Sequence, residues 1–168
     1  MSINMNINML KIGVVSCSGE DCLGGTISRL ATRKMLDEVR PNSTVTICLP
    51  LFLAGGEEER GFAEKFPTIS VDGCSKACGK RATEKYSGKV SAAIDVSDLI
   101  GKEVAEAGAL STRNLTDDHQ AMVEKVVSEI VAKFDEVMKA AQRDLVSKGF
   151  AMVGSGNTGG CGCGCGPK

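Results

Sequence analysis

Short apolar runs alternate with segments of helical spacing along residues 9–96, and this alternation narrows the possible folds more than any other feature of the sequence. Met9 to Ser16 (MLKIGVVS), Thr44 to Leu49 (TVTICL), Thr68 to Asp72 (TISVD) and Val90 to Val96 (VSAAIDV) are brief and rich in β-branched residues, as buried strands are. Between them, Thr26 to Val39 carries Ile27, Leu30, Ala31, Met35 and Leu36 at helical intervals and stops before Pro41-Asn42-Ser43. Glu57 to Phe66 reads as a short charged helix closed by Pro67, and Ser75 to Tyr86 as a helix broken by Ser87-Gly88. The order β-α-β-α-β-α-β predicts an α/β fold with right-handed crossovers. Its core is a small, mostly parallel sheet of about four strands, in Rossmann-like βαβ units flanked by helices.

Beyond the last strand the pattern weakens. Residues 97–115 offer little but Gly101 and Gly108, so a loop with at most one short helix is expected. Asp117 to Ser147 is then the longest periodic segment, apolar at Val123, Val126, Val127, Ile130, Phe134, Val137 and Met138. Thr116 or Asp117 stands where a cap belongs, and Gly149 where a stop belongs. This long C-terminal helix is expected to lay its stripe on the core, the alternative use being a homodimer seam. Residues 9–150 thus form a single α/β domain, and residues 154–168 (GSGNTGGCGCGCGPK) a flexible Gly/Cys-rich tail that cannot bury a core.

Charge and hydropathy remove several classes of partner. Lys and Arg number 20 against 21 Asp and Glu, a near balance that argues against binding nucleic acid by electrostatics. No apolar run is long enough to span a bilayer. The opening Met1-Ser2-Ile3-Asn4-Met5-Asn6-Ile7-Asn8 has neither the basic nor the apolar part of a secretory signal, so a cytoplasmic protein is expected.

Against that background the cysteines stand out. They occur at 17, 22, 48, 74, 78, 161, 163 and 165, beside one histidine, one tyrosine and no tryptophan. In a reducing compartment, clustered thiols more often bind metal or do redox chemistry than form structural disulfides. In an open parallel sheet, ligand groups gather outside the carboxyl ends of the strands. Cys17 follows the first predicted strand, Cys48 ends the second and Cys74 follows the third. With strand order 2-1-3-4 these are neighbours, about 5–10 Å apart before loops adjust. Cys78, four residues after Cys74, is expected on the same helix face, and Cys22 lies in the loop that holds Cys17. The prediction is a thiophilic metal ion, zinc first, on Cys17, Cys48, Cys74 and Cys78, with Cys22 as a spare or alternative ligand. An iron–sulfur cluster or a set of redox or sulfur-transfer thiols is the alternative. Cys22 and Cys48 also suit a small buried apolar position. Asp72 is expected to cap the turn after the third strand rather than to bind metal.

Asp72-Gly73-Cys74, with Cys78 four residues on, a Cys17-Ser18-Gly19 loop after the first strand and Cys48 closing the second, resembles the DGC-domain proteins over about residues 10–96. The resemblance implies zinc binding. The family's loop is a tight Cys-Ser-Gly-Cys, whereas here Glu20-Asp21 stand between Gly19 and Cys22.

Other chemistries fail on spacing. A phosphatase loop needs arginine six residues after its cysteine, but position 23 is Leu and position 80 is Lys. The segment from Cys74 to Arg81 lacks the opening Gly and closing Ser or Thr of a P-loop. Neither Cys17-x4-Cys22 nor Cys74-x3-Cys78 is the Cys-x2-Cys of thioredoxin-like proteins. His119, beside Asp117-Asp118 at a helix start, suits the surface and makes no catalytic triad. No enzyme activity is assigned. In the tail, Cys161, Cys163 and Cys165 alternate with glycine and suit the wrapping of a soft metal ion. Ten residues of such coil span about 16–19 Å, so the tail is expected to reach the strand-end thiols and to take part in metal handling. The expected partners are the metal ion and a protein that accepts metal or sulfur.

Overall fold

A computed structural model of the chain describes residues 10–17, 19 and 21–154. Four strands form one all-parallel sheet in the order β2-β1-β3-β4, as the alternation predicts. β1 (Ile12–Ser16) and β3 (Thr68–Asp72) occupy the centre, with Gly13 beside Thr68 and Ser16 beside Val71. β4 (Ala92–Asp95) pairs with β3 from Ile69–Ala92 to Asp72–Asp95. The two-residue period of the strands sends Ile12, Val14, Ile69 and Val71 to one face, where α1 (Leu23–Lys34) and α8 (Asp117–Gly154) cover them. Val15 faces the other way, onto Leu49, Phe52 and Phe62 of α2 (Leu49–Ala54) and α4 (Phe62–Lys65). Ala82, from α5 (Cys78–Tyr86), packs against this second cluster.

β2 is the main departure. Only Thr44 and Val45 pair with β1, where a strand to Leu49 was expected. Pro50 sits in the first turn of α2, a position that costs a helix no hydrogen bond, and the helix draws the chain off the sheet. Cys48 therefore lies beyond the strand at the N-cap of α2, and it is exposed.

Helix boundaries shift for local reasons. α1 begins at Leu23 rather than Thr26, and its last turns widen into a π-helical stretch, Met35–Val39. The charged segment after Gly56 splits at Gly61 into α3 (Glu57–Arg60) and α4. α5 begins at Cys78 rather than Ser75, because Ala77 adopts the left-handed conformation (φ 50°) and a tight turn forms first. Residues 97–115 hold more structure than expected. Asp95 Oδ1 accepts from the N–H and the hydroxyl of Ser97, at 2.9 and 2.7 Å, and so caps α6 (Val96–Ile100). α7 (Lys102–Ala105) and a 3-10 turn, Thr112–Asn114, follow.

The α8 stripe is core. Val123, Val126, Val127, Ile130, Phe134 and Val137 are buried against α1 and the sheet, so the chain itself occupies the face proposed as a dimer seam. Lys34 pairs with Glu124 and Arg40 with Asp135 across the two helices. Gly149 does not stop the helix, which continues to Gly154. α8 runs antiparallel to the strands. Lys125 donates to Leu99 C=O just past the carboxyl end of β4, whereas Ala140 and Asp144 lie beside Pro67 and Ser91 at the opposite edge. No helix among the described residues is long and apolar enough to cross a membrane. Cys161, Cys163 and Cys165 lie outside the described residues.

Candidate metal centre

The turns at the carboxyl edge of the sheet enclose a cavity of about 300 Å³. Cys17, Cys22, Cys74 and Cys78 all line it, with Gly19, Asp21, Leu49, Leu53 and Lys76. These four thiols come from three separate elements. Cys17 leaves β1, Cys22 stands at the N-cap of α1, and Cys74 and Cys78 bracket the turn between β3 and α5. Cys48 is next in sequence to Leu49 but is not among the lining residues.

Backbone contacts hold the thiols in place. The Cys17 N–H donates to Val71 C=O at 3.2 Å, and its Sγ accepts from the Gly73 N–H at 3.3 Å. Cys17 is thereby tied to the β3 turn by both its main chain and its sulfur. At the N-terminus of α1, Cys22 C=O accepts from Gly25 N–H at 3.1 Å. Leu23 N–H donates to Ala107 C=O at 2.8 Å, and Cys22 makes a single β-bridge with Gly108. The segment after α7 thus pins Cys22 to the rim.

The electrostatics favour neutral thiols at the inner side of the cavity. Burial pushes the Cys17 thiol up to about 11; the Gly73 N–H opposes that, and negative charge on Asp72, Cys22 and Cys78 adds to it. Cys22 is also raised, first by burial, against the pull of the Gly25 N–H, and then by a side-chain hydrogen bond and charge interaction with Cys74. Lys76 and Asp21 form an exposed ion pair at 3.5 Å among the lining residues. The sulfurs share the cavity without converging. Among the described residues, no three His, Cys, Asp or Glu side chains are grouped tightly enough to hold a metal ion as they stand.

A family model described as DGC domain matches residues 13–130, from β1 into α8. The chain belongs to the DGC-domain family. No curated protein and no solved structure matches it. The match extends the likeness read from the sequence beyond β4, through the segment that pins Cys22.

Each residue of the Asp-Gly-Cys run of this DGC domain has a separate task. Asp72 is buried, and its two carboxylate oxygens accept the N–H groups of Gly79 and Lys80 at 2.5 and 3.0 Å. It serves α5 as a cap from outside the helix, satisfying donors the first turn leaves free. This is the capping role expected of it. Burial raises its pKa, and the two N–H groups pull the other way. Gly73 lies against the start of α1, where a Cβ would collide with the backbone of Gly24 and Gly25. Only glycine brings the two turns, and with them Cys22 and Cys74, so close. Cys74 opens the tight turn, its C=O accepting from Ala77 N–H at 3.0 Å. Cys78, at the first residue of α5, then faces the same cavity across that turn rather than along one helix face.

Sequence reasoning missed the apolar wall. Leu49 and Leu53 are one helical turn apart on α2 and line the cavity opposite the thiols' own turns. Their spacing is visible only once Leu49-Pro50 is read as a helix start.

Proposed function

We propose that the DGC domain binds a thiophilic metal ion, zinc, through Cys17, Cys22, Cys74 and Cys78. The observation that carries the reading is that four thiols from three elements line one cavity at the carboxyl edge of the sheet. Cys22 takes the place first given to Cys48, which stands exposed outside the lining. The donor set suits the ion: four soft sulfurs, to be brought to about 2.3 Å from one centre. Each thiol swings about a single χ1 bond, so the four can draw in while the backbone contacts of the rim stay in place. When bound, zinc would supply a fixed positive charge that holds the thiolates together. The chain's own part is to carry the four sulfurs on backbone that is already ordered. The reading places the protein in a reducing compartment, the cytoplasm, where the thiols stay free, and gives it a role in metal handling with a metal- or sulfur-accepting partner.

Anaerobic purification followed by elemental analysis tests this on the full chain and on Cys74→Ser. Stoichiometric zinc in the wild type, lost in the variant, is expected. Iron and a brown colour would replace zinc by an iron–sulfur cluster on the same thiols. No metal in either protein would overturn the proposal.

A further inference from the structure

The four cavity thiols are not equivalent. The Cys17 sulfur belongs to a buried residue and is engaged by the Gly73 N–H at 3.3 Å. Cys78 is exposed and stands across the tight turn that Cys74 opens. Cys22 and Cys74 are both half-buried, and their side chains are hydrogen-bonded to each other. Among the described residues no group of three donors that could hold a metal ion includes them. The cavity thus presents one contacting pair of sulfurs with two thiols nearby, rather than a tetrahedron. The backbone beneath fixes the pair. Gly73, next to Cys74, lies against Gly24 and Gly25, and a Cβ on Gly24 would in turn collide with Gly73 C=O. Cys22 is held by its bridge to Gly108 and by the N–H groups of Gly25 and Thr26, which donate to its C=O.

We propose that Cys22 and Cys74 close a reversible disulfide under oxidising conditions, taking two of the four sulfurs out of the metal site. The consequence for metal rests on the metal-binding reading above; the bond itself does not. Thiols already in hydrogen-bond contact reach bonding geometry by rotation about χ1, so closure is a side-chain event. The oxidant is a low-molecular-weight disulfide such as oxidised glutathione. The thiolate of one cysteine attacks a sulfur of that disulfide, forming a mixed disulfide and releasing one glutathione thiolate. The second cysteine attacks the protein sulfur of the mixed disulfide and releases the other. An electron pair passes from the cysteines to the oxidant, and the two thiol protons end on the two glutathione molecules. Such exchange needs access, which Cys22 and Cys74 have and buried Cys17 lacks. Cys17 and Cys78 then remain, two sulfurs short of a closed tetrahedral site. The cavity holds metal while thiols stay reduced, gives it up when they are oxidised, and recovers on reduction.

The test has two arms on the full chain. In the first, metal-free protein is incubated with oxidised glutathione, alkylated and digested. Trypsin releases Cys74 in residues 66–76, apart from Cys78, and a second cleavage at acidic residues separates Cys17 from Cys22. A Cys22–Cys74 link is expected, and dithiothreitol should reverse it. In Cys22→Ser, Cys74 should stop at the mixed disulfide with glutathione. A link from Cys74 to any other cysteine, or wild-type protein with no Cys22–Cys74 link, would overturn the proposal. In the second arm, zinc-loaded wild type is oxidised in the same way beside a weak chromogenic chelator. Zinc should be released in step with the link, one ion per bond. Zinc retained by chains that carry the link would overturn the proposal. Protein that never takes up zinc would instead overturn the metal-binding reading, and the first arm would still decide the disulfide.

Discussion

The face under α8 and the rim that carries the thiols are held by different forces. Under α8, aliphatic side chains from the sheet, α1 and α8 close on one another, and Ile12, Ile27, Ile69, Val126 and Ile130 are shut off from solvent. That face is a matter of volume and area, to which each side chain contributes by the surface it removes from water. At the rim the apolar wall of Leu49 and Leu53 stands beside turns held in another way. Hydrogen bonds to the main chain set its shape: Cys17 N–H donates to Val71 C=O and Leu23 N–H to Ala107 C=O, while the Cys17 sulfur accepts from Gly73 N–H and the Asp72 carboxylate from the first turn of α5. Backbone-on-backbone contact at Gly73, Gly24 and Gly25 completes it. The larger apolar cluster thus lies on one face of the sheet, and the thiols lie at one of its ends. A substitution in either place should show which it serves.

The largest stability effect is expected under α8. Phe134 is a buried aromatic in that core, and Phe134→Ala should cost about 3–5 kcal/mol by the apolar surface lost and the cavity left. Urea unfolding measures it. Zinc per folded chain should not change, because Phe134 belongs to the core under α8 and is not among the residues that line the cavity. Loss of zinc while the chain is still folded would show that the two regions are coupled.

Asp72 tests the boundary between them. Asp72→Ala strips the acceptors from two N–H groups at the start of α5, one of them buried, and should cost about 2–3 kcal/mol. Unlike Phe134→Ala, it should also weaken zinc binding, since the turn bearing Cys74 and Cys78 loses its anchor. Asp72→Asn keeps one acceptor oxygen and should fall between wild type and alanine in both measurements. Equal zinc affinity in all three proteins would confine Asp72 to stability.

The same division explains what could be read from the sequence. The sheet side was legible because its signals are periodic: Thr68–Asp72 matches a strand residue for residue, and the α8 stripe repeats at helical intervals. The rim was legible only in part. Cys17 and Cys74 follow central strands, whose ends are set by the strands themselves. The end of β2 is decided by competition, since Cys48-Leu49-Pro50 fits a strand terminus and a helix start equally well and the packing of Phe52 favours the helix. Residues 97–115 take their shape from partners distant in sequence, such as Leu23 for Ala107 and Thr26 for Leu110, and these leave no periodic trace. The direction in which α8 leaves the sheet is likewise absent from its own stripe, which fixes a face and not a heading.

Cys48→Ser should have the smallest effect and carries the sharpest contrast with the other cysteines. Its thiol is exposed at the N-cap of α2, makes no capping hydrogen bond there and lies outside the cavity lining. Serine is a favoured N-cap, so stability should change by no more than about 0.5 kcal/mol, with a slight gain where the hydroxyl accepts an N–H of the first turn. Zinc per chain should equal wild type, while Cys22→Ser, at the N-cap of α1 and inside the cavity, should lose it. The two substitutions are chemically identical and both fall at helix starts, but only Cys22 lines the cavity. If Cys48→Ser lost zinc and Cys22→Ser kept it, the ligand set would revert to the one drawn from strand ends alone, and the short β2 would have to lengthen when metal binds.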